Sequence, residues 1–500
     1  MRLRNTCGAV ALALLLCGTA AFAQDQKQDE PASPLDPNAP LQPLDANPAP
    51  GYNRAPIGAA RGVNGPDQTQ PYDPAQVVPD HNTLAGAAPF TLGSMQHNRN
   101  ILDPSISLSQ LGETIPNTTG QTTLAGISVA SGSLNFNRVW SEYNFAVLYN
   151  GGETFNEGFG GVAPAAGITA PHYQFHNLMI TQEASWARWH ILLRDTFAAS
   201  PGATFTGQGM GGPGLVAQNS ALLGSSLNGL GQAFIPSETV NTGNEMRYEN
   251  SVLGQAEYSF SRRSAFTFAG SYGLLHFTGT GYVSSSMING QAGYDYLLDP
   301  ANSIAILASY GKIDYTGTSI ATTDYMGALA YGRKITGRLA FQVSAGPQRI
   351  ISSGLSGGNS QLWFASVNSA LTYERRRGGV SFGYLRGLTE GSGVFQGATG
   401  NTFSGGAHYQ FTRFWTITSN GGYSLNDSLP VAGTATARFD NWFIGGNLGR
   451  RVGLHTQLNF NYGLTKQNSP TPCPVVSCGI AGYEQTFGMS VNWHLRPAGL

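Results

Sequence analysis

Charge is the first thing this sequence has little of. Asp, Glu, Lys and Arg make up 11% of its 500 residues, against roughly 25% in an ordinary soluble domain. The 27 basic and 28 acidic side chains leave a formal net charge of -1. So neutral a chain lacks the basic footprint of a nucleic-acid binder. Cysteine is scarce too, with four residues in all. Long apolar runs are missing: beyond residue 23 no stretch reaches the roughly 18 apolar residues that a spanning helix needs. What is abundant is glycine, at 66 residues, together with aromatics at 11%. That aromatic content excludes a chain that is disordered throughout. Hydrophobic residues reach only 41% and mean hydropathy is -0.15, so Gly, Ser, Thr, Asn and Gln stand where charge is missing. The balance predicts a large, neutral, β-rich protein.

The first residues read as an address. Arg2 and Arg4 precede an apolar run from Ala9 to Cys17, and Ala21-Phe22-Ala23 supplies a small-x-small cleavage pattern. A signal peptide over 1–23 is expected. Its removal takes Cys7 and Cys17 away and leaves Cys473 and Cys478, with four residues between them. In an oxidising periplasm that pair is expected to close a small loop as a disulfide. Two cysteines without a histidine cluster make a poor zinc site. Residues 24–100 lack hydrophobic periodicity and hold 13 of the 27 prolines. Proline removes backbone donors and favours extended chain, so a disordered, semi-rigid periplasmic spacer is expected. A peptidoglycan tether and a plug are the sharper readings. Residues 101–500 form the body.

There, period-2 alternation dominates. Val452, Leu454, Thr456, Leu458, Phe460, Tyr462 and Leu464 share one face, and Gly453, His455, Gln457, Asn459, Asn461 and Gly463 the other. In 482–495, Tyr483, Phe487, Met489, Val491, Trp493 and Leu495 oppose Glu484, Thr486, Gly488, Ser490, Asn492 and His494. In 246–260, Tyr248, Val252, Ala256, Tyr258 and Phe260 oppose Arg247, Glu249, Ser251, Gln255 and Glu257. In 362–374, Trp363, Val367, Leu371 and Tyr373 oppose Ser366, Asn368, Thr372 and Glu374. A soluble sandwich would have shorter strands and a dry inward face. Here the second face is polar, which suits lipid outside and water inside. Closure follows, because an open sheet edge in lipid leaves backbone groups unpaired.

Connection lengths alternate between short and long. Strands are predicted from 104–111 through 482–495, joined by eight short turns and nine longer connections, hence 18 strands, with 16 as the alternative. The short turns lie near Arg138, Arg188, Arg262, Asp299, Arg338, Arg376, Arg413 and Arg450. Seven of the eight carry arginine, and the long connections carry Glu113, Glu153, Glu157, Glu238, Glu390 and Asp427. A basic periplasmic rim of Arg138, Arg188, Arg262, Arg338, Arg376, Arg413 and Arg450 is expected to meet anionic lipid headgroups. Tyr149, Trp186, Trp363, Trp415, Trp442 and Trp493 are expected to form interfacial girdles.

A signal peptide, a Pro-rich spacer and about 400 residues of alternating hairpins resemble bacterial outer-membrane β-barrel proteins of the porin-like type. The likeness rests on pattern across the whole body. It implies an all-β, closed antiparallel transmembrane β-barrel in the bacterial outer membrane, inserted by the barrel-assembly machinery and in contact with outer-membrane lipid. Many such barrels end on an aromatic residue. This chain instead runs past Trp493 to Arg496-Pro497-Ala498-Gly499-Leu500.

Motifs for catalysis lack their structural context. Gly207-Gln208-Gly209-Met210-Gly211-Gly212 has the spacing of a nucleotide loop but no strand-to-helix setting. Gly354-Leu355-Ser356-Gly357-Gly358 lacks the helix of a nucleophile elbow. The lumen is more informative. Residues 101–500 contain 21 basic and 20 acidic side chains, so a near-neutral lining is expected, from Arg247, Glu249, Glu257, Glu374, His455, Gln457, Asn459, Glu484 and His494. The expected function is a water-filled, weakly selective channel for passive diffusion or export of small polar solutes, without enzyme chemistry, cofactor or metal. The alternatives are a structural or envelope-anchoring barrel with a plugged lumen, and a barrel hydrolase using His455 or His494.

Overall fold

The structure is a computed structural model. It describes residues 100–116, 122–158, 172–201, 246–279, 282–318, 320–353, 359–375, 377–389, 396–430, 437–468, 482–495 and 498–499. Cys473, Cys478, Arg376 and the segment 24–99 lie outside the described residues, as do the two glycine motifs.

Nineteen strands follow in chain order: β1 (Ile101–Pro116), β2 (Thr122–Val139), β3 (Tyr143–Gly158), β4 (His172–Ser185), β5 (Trp189–Pro201), β6 (Met246–Ser259), β7 (Ser264–Phe277), β8 (Ser285–Asp299), β9 (Asn302–Tyr315), β10 (Ala321–Lys334), β11 (Leu339–Ser353), β12 (Asn359–Arg375), β13 (Gly378–Thr389), β14 (Ala398–Gln410), β15 (Trp415–Ser428), β16 (Arg438–Val452), β17 (Thr456–Asn468), β18 (Gly482–His494) and β19 (Ala498–Gly499). Each of the first seventeen pairs antiparallel with the next, and β1 pairs with β18, from Ser105 opposite His494 to Thr114 opposite Gln485. The barrel is therefore closed with 18 strands. The two-residue β19 extends that seam, with Ala498 opposite Leu102 and Gly499 opposite Ile101. Ala498 and Gly499 thus join the sheet.

The alternation has a physical orientation. Along β7, Phe266, Phe268, Tyr272 and Leu274 are exposed while Thr267, Ala269, Ser271 and Leu275 are buried. The outward set continues round the wall through Leu108, Ile306, Leu329 and Phe382, each more than half exposed. A wall showing such side chains is stable only where its surroundings are apolar. Aromatics band this surface. Trp186, Trp189 and Trp493 stand at the short-turn end, Tyr325 and Trp363 toward the other, and Tyr149 midway along β3. The pattern also fixes register, since a slip of one residue would turn every outward side chain inward.

Hydroxyl and carboxylate side chains set the short turns. Thr336 Oγ1 accepts from the backbone N–H groups of Arg338 and Leu339, at 3.1 and 3.0 Å. Thr412 Oγ1 accepts from those of Phe414 and Trp415, at 3.2 and 3.3 Å. Asp299 accepts from the Ala301 N–H and the Asn302 amide, at 2.7 and 2.8 Å. Such local bonds hold the chain in a turn in place of a strand ladder.

One turn falls later than its sequence suggests. Arg450 and Arg451 belong to β16, and the reversal lies at 453–455. Gly453 adopts φ +77°, a backbone that glycine enters without strain, so the bend forms there. Leu454 is consequently 89% exposed at the turn, and β17 begins only at Thr456. The first strand is also longer than the predicted 104–111, because β2 pairs with it along its whole length, from Ile101 to Pro116.

Candidate functional site

The inward face of the wall is the place to look for function, since the outward face is spent on apolar contact. On β6 the inward residues are Arg247, Glu249, Ser251, Leu253, Gln255 and Glu257, the last four buried. Arg247 and Glu249 lie opposite Phe277 and Leu275 of β7 near the long-connection end. Glu257 lies opposite His190 of β5 near the short-turn end. One strand therefore carries these charges to two separate levels.

The expected lining residues elsewhere do not converge on one site. Glu374 stands opposite Gly379 in the β12–β13 ladder, and its side chain lies outside the described residues. Gln457 and Asn459 face inward on β17, where Gln457 Nε2 donates to Asn459 Oδ1 at 2.8 Å and Asn459 Nδ2 donates to Ser490 Oγ at 3.4 Å. Glu484 faces inward opposite Thr465. His455 sits in the turn before β17, because the reversal at Gly453 displaces it from the strand. Its Nδ1 lies 3.1 Å from the His494 carbonyl oxygen, and His494 Nδ1 lies 3.8 Å from Asp103 Oδ1. These rings tie the seam between β1, β17 and β18 at the rim. Among the described residues, no three His, Cys, Asp or Glu side chains are placed to hold a metal.

Two inward features are absent from the expected lining. The first is a set of charges on β1, β4, β5, β8 and β10. Arg194 is 1% exposed, Glu183 7%, Asp295 5% and Asp324 9%. Asp103 also faces inward on β1, and Asp324 accepts from Gln348 Nε2 at 2.9 Å. The second is an apolar patch: Leu192, Leu253, Ala269, Leu307, Ala328 and Ala330 belong to one buried cluster running from β5 to β10. Across the barrel, the inner wall from β15 to β18 is instead amide-rich, with Asn426, Asn441, Asn459 and Gln467 all buried. The lining is near-neutral in total but not uniform around its circumference.

The short-turn rim is basic on the outside. Arg138 lies over Trp140, Arg413 over Phe414 and Arg450 over Trp415, at 4.9, 5.2 and 5.1 Å from the ring centroids. Arg188, Arg262 and Arg338 occupy their turns. The Asp299 turn, which has no arginine of its own, receives Arg333 of β10 opposite Asn302. Guanidinium over an aromatic ring is held near the level of that ring.

A closed antiparallel wall, apolar and aromatic outside and polar inside, with short turns on the side of the chain ends, defines a transmembrane β-barrel of the bacterial outer-membrane type. No family model and no curated protein matches the sequence. Solved structures match over most of the chain at low identity. Acinetobacter baumannii OccAB2 shares 9% identity at a TM-score of 0.40, over 79% of this chain and 98% of its own. A BenF-like porin from Pseudomonas fluorescens Pf-5 shares 8% at 0.40, over 80% and 99%. Pseudomonas aeruginosa OccK2 (OpdF) in complex with glucuronate shares 9% at 0.39, over 79% and 98%. The barrel assignment stands on this chain's own strand pairing.

Proposed function

We propose that the barrel is a channel for passive passage of small polar solutes across the outer membrane. The observation that carries this is the inward face itself: a single closed wall of 18 strands with serines, threonines, amides and charges of both signs turned inward. Barrels of that strand number leave an aqueous passage unless something fills it. Mixed inward charge favours weak ion selectivity over a strong single-sign filter. The near-zero exposure of Arg194, Asn137 and Asn441 favours a second reading, a structural barrel whose interior is closed. Single-channel recording of the refolded chain in a planar bilayer separates the two. Stable conductance steps with a small reversal potential in a salt gradient are expected. Silence from barrels that show native mobility on gels would leave the closed reading.

The basic rim is proposed to anchor the barrel at anionic headgroups, worth about 1 kcal/mol per surface arginine. Replacing Arg138, Arg413 and Arg450 together by Gln is expected to weaken insertion into vesicles that contain anionic lipid. Insertion into purely zwitterionic vesicles is expected to stay unchanged, and equal losses in both would refute the headgroup role. Residues 24–100 are proposed as a periplasmic spacer toward peptidoglycan.

A further inference from the structure

Toward the long-connection end, two rows of outward side chains each set a cation between aromatic rings. Across β9–β12 the row is Tyr310, Tyr325, Arg349 and Trp363, each directly opposite the next. Across β15–β18 it is Tyr423, Trp442, Lys466 and Tyr483, paired in the same way. Arg349 Cζ lies 5.7 Å from the Trp363 ring centroid, and Lys466 Nζ lies 4.8 Å from that of Tyr483. Tyr310 packs on Tyr325 with 5.4 Å between ring centroids, and Trp442 meets Tyr483 edge-on at 6.2 Å. Tyr325, Trp363 and Tyr483 are exposed on the outer face of the wall.

The charge in these rows is not spent within the wall. Lys312 and Arg438 also face outward at this end, but Lys312 Nζ donates to Asp314 Oδ2 at 2.8 Å and Arg438 Nε to Asp427 Oδ1 at 2.6 Å. Arg349 and Lys466 have no carboxylate partner among the described residues. Arg349 Nη2 donates to Gln361 Oε1 at 3.2 Å, and its buried Nε has no hydrogen-bond partner among them. Snorkelling alone would carry either cation past the rings to water. Both instead lie against a ring.

The level and the chemistry together define a partner. In a barrel of this type the short turns face the periplasm and the long connections the exterior, so both rows stand in the outer leaflet. The short-turn arginines stand at the other leaflet. A guanidinium or an ammonium takes a phosphate. The exposed ring faces are electron-rich, which suits the C–H-bearing face of a saccharide ring. A glycerophospholipid offers the phosphate without the saccharide ring, and a neutral glycolipid offers the ring without the phosphate.

We propose that Arg349 with Tyr325 and Trp363, and Lys466 with Trp442 and Tyr483, form two seats on the outer face of the barrel for a lipid whose headgroup is a phosphorylated saccharide. The inference does not depend on the channel reading, because these side chains turn away from the lumen. The test is calorimetric titration of the refolded chain in neutral-detergent micelles with three probes: lipid A, the same lipid freed of its phosphates, and phosphatidylglycerol. Lipid A is expected to bind, with each of the other two weaker by about tenfold or more. Arg349→Gln combined with Lys466→Gln is expected to weaken lipid A by about tenfold or more, and Arg349→Lys to retain part of the binding that Arg349→Gln loses. Trp363→Leu, which keeps an apolar side chain but removes the ring, is expected to weaken lipid A while leaving phosphatidylglycerol unchanged. Gel mobility checks that each variant folds. Lipid A binding unchanged in the folded double variant overturns the proposal. So does phosphatidylglycerol binding as tightly as lipid A, which would leave only a charged surface, and so does phosphate-free lipid binding as tightly, which would leave only apolar contact. Absence of lipid A binding to a folded barrel overturns it too.

Discussion

Leu329→Arg is expected to lower the folding free energy of the barrel in bilayers by about 2–4 kcal/mol, the cost of a charged side chain facing lipid near the midplane. Leu329 is 68% exposed and lies midway along β10, with Ile306 of β9 and Ala345 of β11 opposite it. In water, an exposed leucine exchanged for arginine would change stability little. In lipid, the guanidinium must climb to an interface or draw water inward. The inward neighbour Ala328 supplies the contrast on the same strand. Ala328→Ser adds only a small hydroxyl to the inner apolar patch and is expected to cost less than the lipid-facing charge, about 1–2 kcal/mol. Reversible folding into phosphatidylcholine vesicles, followed by denaturant titration, reads both variants. Equal, small effects would mean that the Leu329 face does not meet lipid, and the membrane-spanning orientation would fall with it.

The parts of this molecule legible in its sequence are those that one strand decides alone. Alternation along 452–464 or 482–495 needs only a polar and an apolar face, and an even number of strands needs only alternating connection lengths. The turns were legible because Thr336, Thr412 and Asp299 act within three residues of themselves. Less was legible where two rules compete. Ile191-Leu192-Leu193 is apolar throughout, so alternation does not say which leucine faces inward. Pairing does, because Leu192 lies between Glu183 and Gln255 while Ile191 and Leu193 stay exposed. Leu274-Leu275 hides its direction in the same way. The inner apolar patch therefore escapes a rule that assigns every leucine to lipid. Arg194 and Glu183 were within reach, since each is a charge within a strand that leads into or out of the 186–188 turn. His455 was displaced by the left-handed backbone of Gly453, a local conformation that periodicity does not register.

The second large effect belongs to a glycine in the β10–β11 pair. Ordinary cross-strand pairing is interrupted there: Met326 is opposite Gln348 and Leu329 opposite Ala345, while Gly327 and Ala328 have no paired partner on β11. Pro347 lies in this gap and has no N–H to give to a ladder. The strands close the gap by backbone approach. A Cβ built on Gly346 would collide with the Gly327 carbonyl oxygen and with Ala328 Cα at 2.6 Å. Those atoms are main chain and cannot swing aside as a side-chain tip does. On its other edge Gly346 is paired with Ser366 of β12, so β11 cannot retreat without breaking that ladder. Gly346→Val is accordingly expected to destabilise the folded barrel by about 3 kcal/mol or more, seen as a lower unfolding midpoint and a loss of native gel mobility. Gly327→Ala is the control, because a Cβ at Gly327 meets nothing within 4 Å. A general aversion of this strand pair to side chains would damage both variants. Close backbone contact at Gly346 damages only the first, and a Gly346→Val barrel with an unshifted midpoint would show that the strands do not approach as closely as the geometry requires.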